Sequence, residues 1–241
     1  MVPELRRLRE LAPEVPEGAP LGVHAALVAQ GLEGPYGTAL REVVLRYCGE
    51  QNLSRMTFFL RAPPTNEVWF FGGFERANGN LTVMDIQGLG QANQQILRTE
   101  LASGYEYTVN PISSVPAAER PLLSTERADE ATPEQRTAAF SAYLRVQNPL
   151  HFAADDLSCV TCHIGTYVLD QAQTAYGFDP ATFEADRYTS VHDLTLTGGA
   201  RQTPSSLRAF GWFDRDPMIA QRVVNESAAV VDDLEARFPA E

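Results

Sequence analysis

Two of the three cysteines and one of the four histidines of this 241-residue chain fall within five positions, Cys159-Val160-Thr161-Cys162-His163. Thiolate and imidazole are ligands for transition metals, and two thiols three positions apart can also work as a redox pair. A dithiol of the thioredoxin type would sit at the end of a strand in a βαβ unit, whereas the residues ahead of Cys159 read as a helix and a loop. A zinc site could recruit Cys48 and a histidine, but Cys48 stands alone in a strand-like run without a second ligand pair nearby. Buried thiols without a chemical role are the third reading.

A fourth reading comes from resemblance. Cys-x-x-Cys-His near the start of a helix is the haem-attachment signature of c-type cytochromes, and in these residues and their helical setting the chain resembles that family. With so few Cys and His, chance placement would give the pattern less than roughly once in a thousand such chains. The resemblance implies one covalent haem c, with Cys159 and Cys162 bonded to the two vinyl groups on one porphyrin edge and His163 as the proximal iron ligand. It also implies export to the periplasm or cell surface, where c-type maturation takes place. The start, Met1 to Pro20, has no apolar signal region, so a leader is expected to have been removed or left off.

The sixth ligand is read from position. His151 precedes Cys159 by eight residues, and an extended connector at about 3.3 Å per residue can pass round a porphyrin edge. His151 is therefore the expected ligand opposite His163. Met218, inside the first turn of the predicted last helix, and His192 are the alternatives, with His24 behind them. In an acidic chain some arginine should be reserved for the haem propionates, and Arg201 and Arg208, in the loop after His192, are the expected pair. A lone Gly-x-Gly at Gly88-Leu89-Gly90 is too weak to signal a nucleotide site.

These residues must be positioned by the elements around them. Thr132, Pro133 and Gln135 predict a capped helix carrying Phe140, Tyr143 and Leu144 on one face and stopped at Asn148-Pro149. A second helix is predicted to open at Asp155 or Asp156 and run to Ala175, with Gly177 as its C-cap. The last is predicted to open at Asp216-Pro217 and to bury Ile219, Val223, Val230, Leu234 and Phe238. Between about Thr38 and Gln87 the runs ALREVVLRYC, RMTFFLRA, EVWFFGGFE and LTVMDIQG read as strands, with Asn78-Gly79 as a hairpin turn. Ser113 to Glu134, rich in proline and charge, reads as a linker.

The expected fold class is therefore α+β: an arm over 1–20, an antiparallel β-rich domain over 21–120, and a mainly α-helical, cytochrome c-like haem domain over 121–241. All 19 basic residues are arginine, against 31 Asp plus Glu, for a net charge of −12. That charge excludes a phosphate-neutralising nucleic-acid binder and favours partners with basic faces. No run is long and apolar enough for a membrane helix. The expected function is one-electron transfer with redox protein partners. An accessory haem subunit of a membrane-associated redox assembly, or an open-site haem enzyme or sensor, is the alternative.

Overall fold

The computed structural model describes residues 2–12, 24–49, 51–61, 68–114, 117–196, 207, 210–213 and 216–238. The chain is mixed α+β, with an antiparallel sheet in its N-terminal half and helices in its C-terminal half. It divides into two units, Met1–Met56 with Glu75–Thr82, and Thr57–Phe74 with Val83–Glu241.

In the first unit, α1 (Val2–Leu11), α2 (Ala25–Gln30) and α3 (Pro35–Tyr47) gather Leu8, Ala26, Tyr36 and Ala39 into a small core. Two expectations are corrected here. Within the stretch taken as an arm, residues 2–11 are helical, and Leu8 is buried on α3; residues 13–20 lie outside the described residues. The run ALREVVLRYC is helix, not strand. Pro35 opens α3 at the position where its missing N–H costs nothing, and Tyr36, Ala39, Leu40 and Val43 recur at the helical period that meets α1 and α2. The β-branched pair Val43-Val44 is overridden by that packing.

The sheet runs in the order β1-β2-β4-β5, built from β1 (Arg55–Arg61), β2 (Val68–Ala77), β4 (Asn93–Leu101) and β5 (Gly104–Asn110). The short β3 (Asn80–Val83) folds back on β2. Asn78 and Gly79 both have positive φ, 53° and 82°, the two-residue turn whose twist suits a hairpin. β4 and β5, absent from the sequence reading, pair antiparallel from Gln95↔Asn110 to Leu101↔Gly104.

The expected boundary near residue 120 is not a division. Trp69, Phe71, Ile96, Tyr105 and Tyr107 of the sheet share one core with Leu122, Leu123, Phe140, Tyr143, Ile164 and Val168. The presumed linker instead forms a 3-10 turn, Ala117–Leu123, and α4 (Thr125–Glu130). Three contacts stitch it to β5. The Tyr105 hydroxyl donates to the Leu122 carbonyl, the Tyr105 amide donates to Thr125 Oγ1, and Glu106 bridges to Ser124. Limited digestion with trypsin or a glutamyl endopeptidase should accordingly leave Glu119, Glu126 and Arg127 uncut while the fold persists. Early release of a C-terminal fragment beginning between 117 and 131 would contradict this integration.

α5 (Pro133–Gln147) starts as expected, with both hydrogen bonds of the Thr132/Gln135 capping box formed, and Asn148 ends it. α6 (Cys159–Tyr176) starts later than expected, at the first cysteine, because Ser158 is the N-cap and Ala154–Asp156 is a separate 3-10 turn. Gly177, at φ 70°, closes α6 in the left-handed conformation. The Asp216-Pro217 start signal is also corrected. Residues Asp216–Ile219 form β7, paired with β6 (Phe210–Phe213), and α7 runs from Gln221 to Arg237. The buried face of α7 is Arg222, Asn225 and Ala228, whereas Val230, Leu234 and Phe238 are exposed. No helix among the described residues is long and apolar enough to cross a membrane.

Candidate functional site around the first turn of helix α6

Helix α6 begins at the cysteines because its first turn is satisfied from outside. An α-helix leaves its first N–H groups without partners, and two side chains supply them here. Ser158 Oγ accepts the Thr161 amide at 3.4 Å, and Gln94 of β4 accepts the Val160 amide through Oε1 at 2.9 Å. Gln94 is fully buried, and its Nε2 donates to the Pro111 carbonyl at 2.9 Å and to Ser158 Oγ at 3.3 Å. One glutamine thus fixes the start of α6 against the sheet. It lies in the GLGQANQQ run, whose Gly88 and Gly90 serve a turn with positive φ.

Cys159, Cys162 and His163 are each half-buried, and both cysteines are unpaired. His163 packs against the sheet, its ring centroid 4.7 Å from that of Phe71 and 5.5 Å from that of Phe59. Its Nδ1 hydrogen-bonds to the Leu207 carbonyl. A carbonyl only accepts, so Nδ1 carries the proton and Nε2 keeps its lone pair. Burial holds the imidazole pKa below its ordinary value, with the Leu207 bond opposing the shift, so the ring is neutral at neutral pH. Neutral imidazole is the form that binds a metal, and a second hydrogen bond from the other ring nitrogen is what orients such a ligand.

The thiols argue against a redox pair. Burial raises the Cys159 pKa and pushes that of Cys162 up to about 12. A dithiol built for exchange needs the opposite, a lowered pKa that yields thiolate. Cys48 is exposed at the end of α3 and belongs to the other unit. Among the described residues, the group of metal-ligating side chains that come together, His192, Asp232 and Glu235, contains no cysteine.

Behind the cysteines lies a buried polar cluster. Thr161 Oγ1 is 2.9 Å from Ser158 Oγ and donates to Glu119 Oε1 at 3.4 Å. Burial pushes the Glu119 carboxyl up to about 8, against the Thr161 hydrogen bond, so it is protonated at neutral pH. From the helical side, Arg222 of α7 is almost completely buried and donates to the carbonyls of Val146 at 2.9 Å and Phe152 at 2.6 Å. Asn225 donates to the Gln147 carbonyl at 2.7 Å. The two side chains serve carbonyls at the end of α5, which have no partner within the helix, and Arg222 places a positive charge near Cys162.

The remaining sequence-derived residues are scattered. His151 is exposed after α5, and its Nε2 donates to the Ala185 carbonyl at 2.9 Å. His192 lies beside Asp232 and Glu235 of α7. His24 caps α2 and stacks on Tyr36 at 4.6 Å. Met218 is on β7, but its side chain lies outside the described residues, as do Arg201 and Arg208 altogether. Gln94, Ser158, Glu119, Leu207 and Arg222 were missed by sequence reasoning. Only Ser158 left a signal there, as a serine directly before the helical run.

Comparison with protein-family models, with curated proteins and with solved structures found no match for the chain.

Proposed function

We propose that the chain is a monohaem c-type cytochrome, and the observation that carries this reading is the state of His163. It is a neutral, half-buried imidazole with Nδ1 tied to a carbonyl and Nε2 left as a lone pair, directly after two unpaired thiols on the same first helical turn. These residues fit a covalently held haem: Cys159 and Cys162 would hold it by thioether bonds, and His163 would ligate its iron. The group would supply a one-electron couple between ferric and ferrous iron.

The protein's part is positional. Gln94 and Ser158 lock the first turn of α6, and the Leu207 carbonyl sets the tautomer and angle of His163. Phe59 and Phe71 keep water from the ring, which favours the less charged iron state and so influences the potential. Thiols with raised pKa values are poor nucleophiles, so addition to the vinyl groups is expected before the fold closes around α6. This order suits maturation outside the cytoplasmic membrane, in the periplasm or at the cell surface. With a net charge of −12, the partners would be redox proteins with basic docking faces, and a membrane-associated redox complex is included among them.

A second reading, an open-site haem sensor or enzyme, is favoured by one observation: His151 is engaged with Ala185. The two readings separate by carbon monoxide binding to the reduced protein. A carrier with both axial positions filled resists it, whereas an open site takes it up without mutation. Attachment is tested by Cys159→Ala, Cys162→Ala and the double variant, produced with export and maturation machinery. Each single variant should retain one thioether, and the double variant should lose its haem on denaturing gels. Covalent haem in the double variant would exclude these cysteines as the anchors.

A further inference from the structure

His192, Asp232 and Glu235 bring one imidazole nitrogen and two carboxylate oxygens within 4.8 Å of one another. His192 Nε2 is 3.4 Å from Asp232 Oδ1 and 3.6 Å from Glu235 Oε2. Both separations exceed the usual hydrogen-bond range of about 2.7–3.2 Å. They match the edge of a tetrahedron, about 3.4 Å, around a zinc ion with ligand bonds of about 2.0–2.1 Å. The Nε2 atom is itself buried and has no hydrogen-bond partner. A buried nitrogen within ion-pair range of two carboxylates, yet hydrogen-bonded to neither, is placed as a ligand would be.

The surroundings supply the orientation such a site needs. The Tyr188 hydroxyl donates to Asp232 Oδ2 at 2.7 Å, and the Ser190 hydroxyl donates to Oδ1 at 3.1 Å. These bonds fix the carboxylate. Ser190 Oγ also accepts the His192 amide at 3.1 Å, which positions the imidazole's own backbone. Asp232 and Glu235 are three apart on α7 and so share a helix face. His192 also lines a cavity of about 500 Å³ with Thr166, Leu169 and Gln173 of α6.

We propose that His192, Asp232 and Glu235 form a metal site for a divalent zinc-type cation, separate from the Cys159/Cys162/His163 site, that ties the segment around Tyr188–His192 to helix α7. Three protein ligands leave a fourth position for water, and the nitrogen among them selects zinc-type cations over calcium or magnesium. The inference does not rest on haem, because zinc and iron are counted separately.

The test is zinc uptake by the untagged, mature full-length protein, measured by equilibrium dialysis with elemental analysis, for wild type, His192→Gln and Glu235→Gln. Glu235 is exposed, so its variant should fold even if the His192 variant does not. Wild type should take up one zinc per chain, undisturbed by excess magnesium or calcium. Each variant should bind at least about tenfold more weakly, since even outer-shell losses cost that much. Zinc should also raise the wild-type melting temperature and leave that of Glu235→Gln unmoved. Uptake equal in all three proteins, or no uptake by wild type, would show that the cluster is an ion-pair network only.

Discussion

Arg222→Ala should lower the stability of the unit that carries α6 by about 3 kcal/mol or more, the scale for removing one partner from a buried, hydrogen-bonded charge pair. The guanidinium is nearly inaccessible and answers three acceptors at once, the carbonyls of Val146 and Phe152 and the Glu226 carboxylate at 2.7 Å. Without it, two carbonyls and a partly buried carboxylate lose their donor where water is scarce. In a chain of this size such a loss lowers the melting temperature by roughly 6–12 °C. Arg222→Met, which keeps the apolar stem, should recover only part of it. Thermal and urea unfolding followed by circular dichroism would decide. A loss below about 1 kcal/mol would show that the α5–α7 junction does not depend on this residue.

The second large effect is on pH dependence. The folded protein holds the Glu119 carboxyl at about 8, above the ordinary 4.5, because the site is buried. Between those two values the unfolded chain has released the proton and the folded chain still holds it. Stability therefore falls as pH rises, by up to about 1.4 kcal/mol per pH unit, and the total is on the order of 4 kcal/mol by pH 8. Below 4.5 both states are protonated and the penalty vanishes. Glu119→Gln should remove this component, so the variant gains on wild type progressively from pH 5 to pH 8. Parallel stability profiles for the two proteins over that range would contradict a protonated Glu119 in the folded state.

What the sequence made legible was local chemistry. The Thr132/Gln135 capping box, the Asn78-Gly79 turn, the Gly177 cap and the Cys-x-x-Cys-His cluster each need only neighbours within a few positions. Misreadings arose where a local signal met a distant partner. The valines of α3 favour a strand until α1 and α2 are beside them, and Asp216-Pro217 reads as a helix start until β6 pairs with β7. The stretch 117–130 looks like a linker because few of its residues that reach the core are apolar, Leu122, Leu123 and Ala128, while the buried Glu119 and Ser124 read as surface residues. No spacing rule could have joined Gln94 to Val160, 66 positions apart, or Arg222 to Val146, 76 apart. His151 shows the converse. Nearness in sequence made it the expected sixth ligand, and no spacing rule shows the hydrogen bond of its Nε2 to the Ala185 carbonyl, 34 positions away.

The central claim is covalent haem at Cys159 and Cys162, and the most direct measurement is the intact mass of the mature wild-type protein under denaturing conditions, after production with export and maturation machinery. The account predicts a mass equal to the polypeptide plus one haem, with peptide mapping placing the addition on the segment that contains Cys159 and Cys162. A mass equal to that of the bare polypeptide would contradict it.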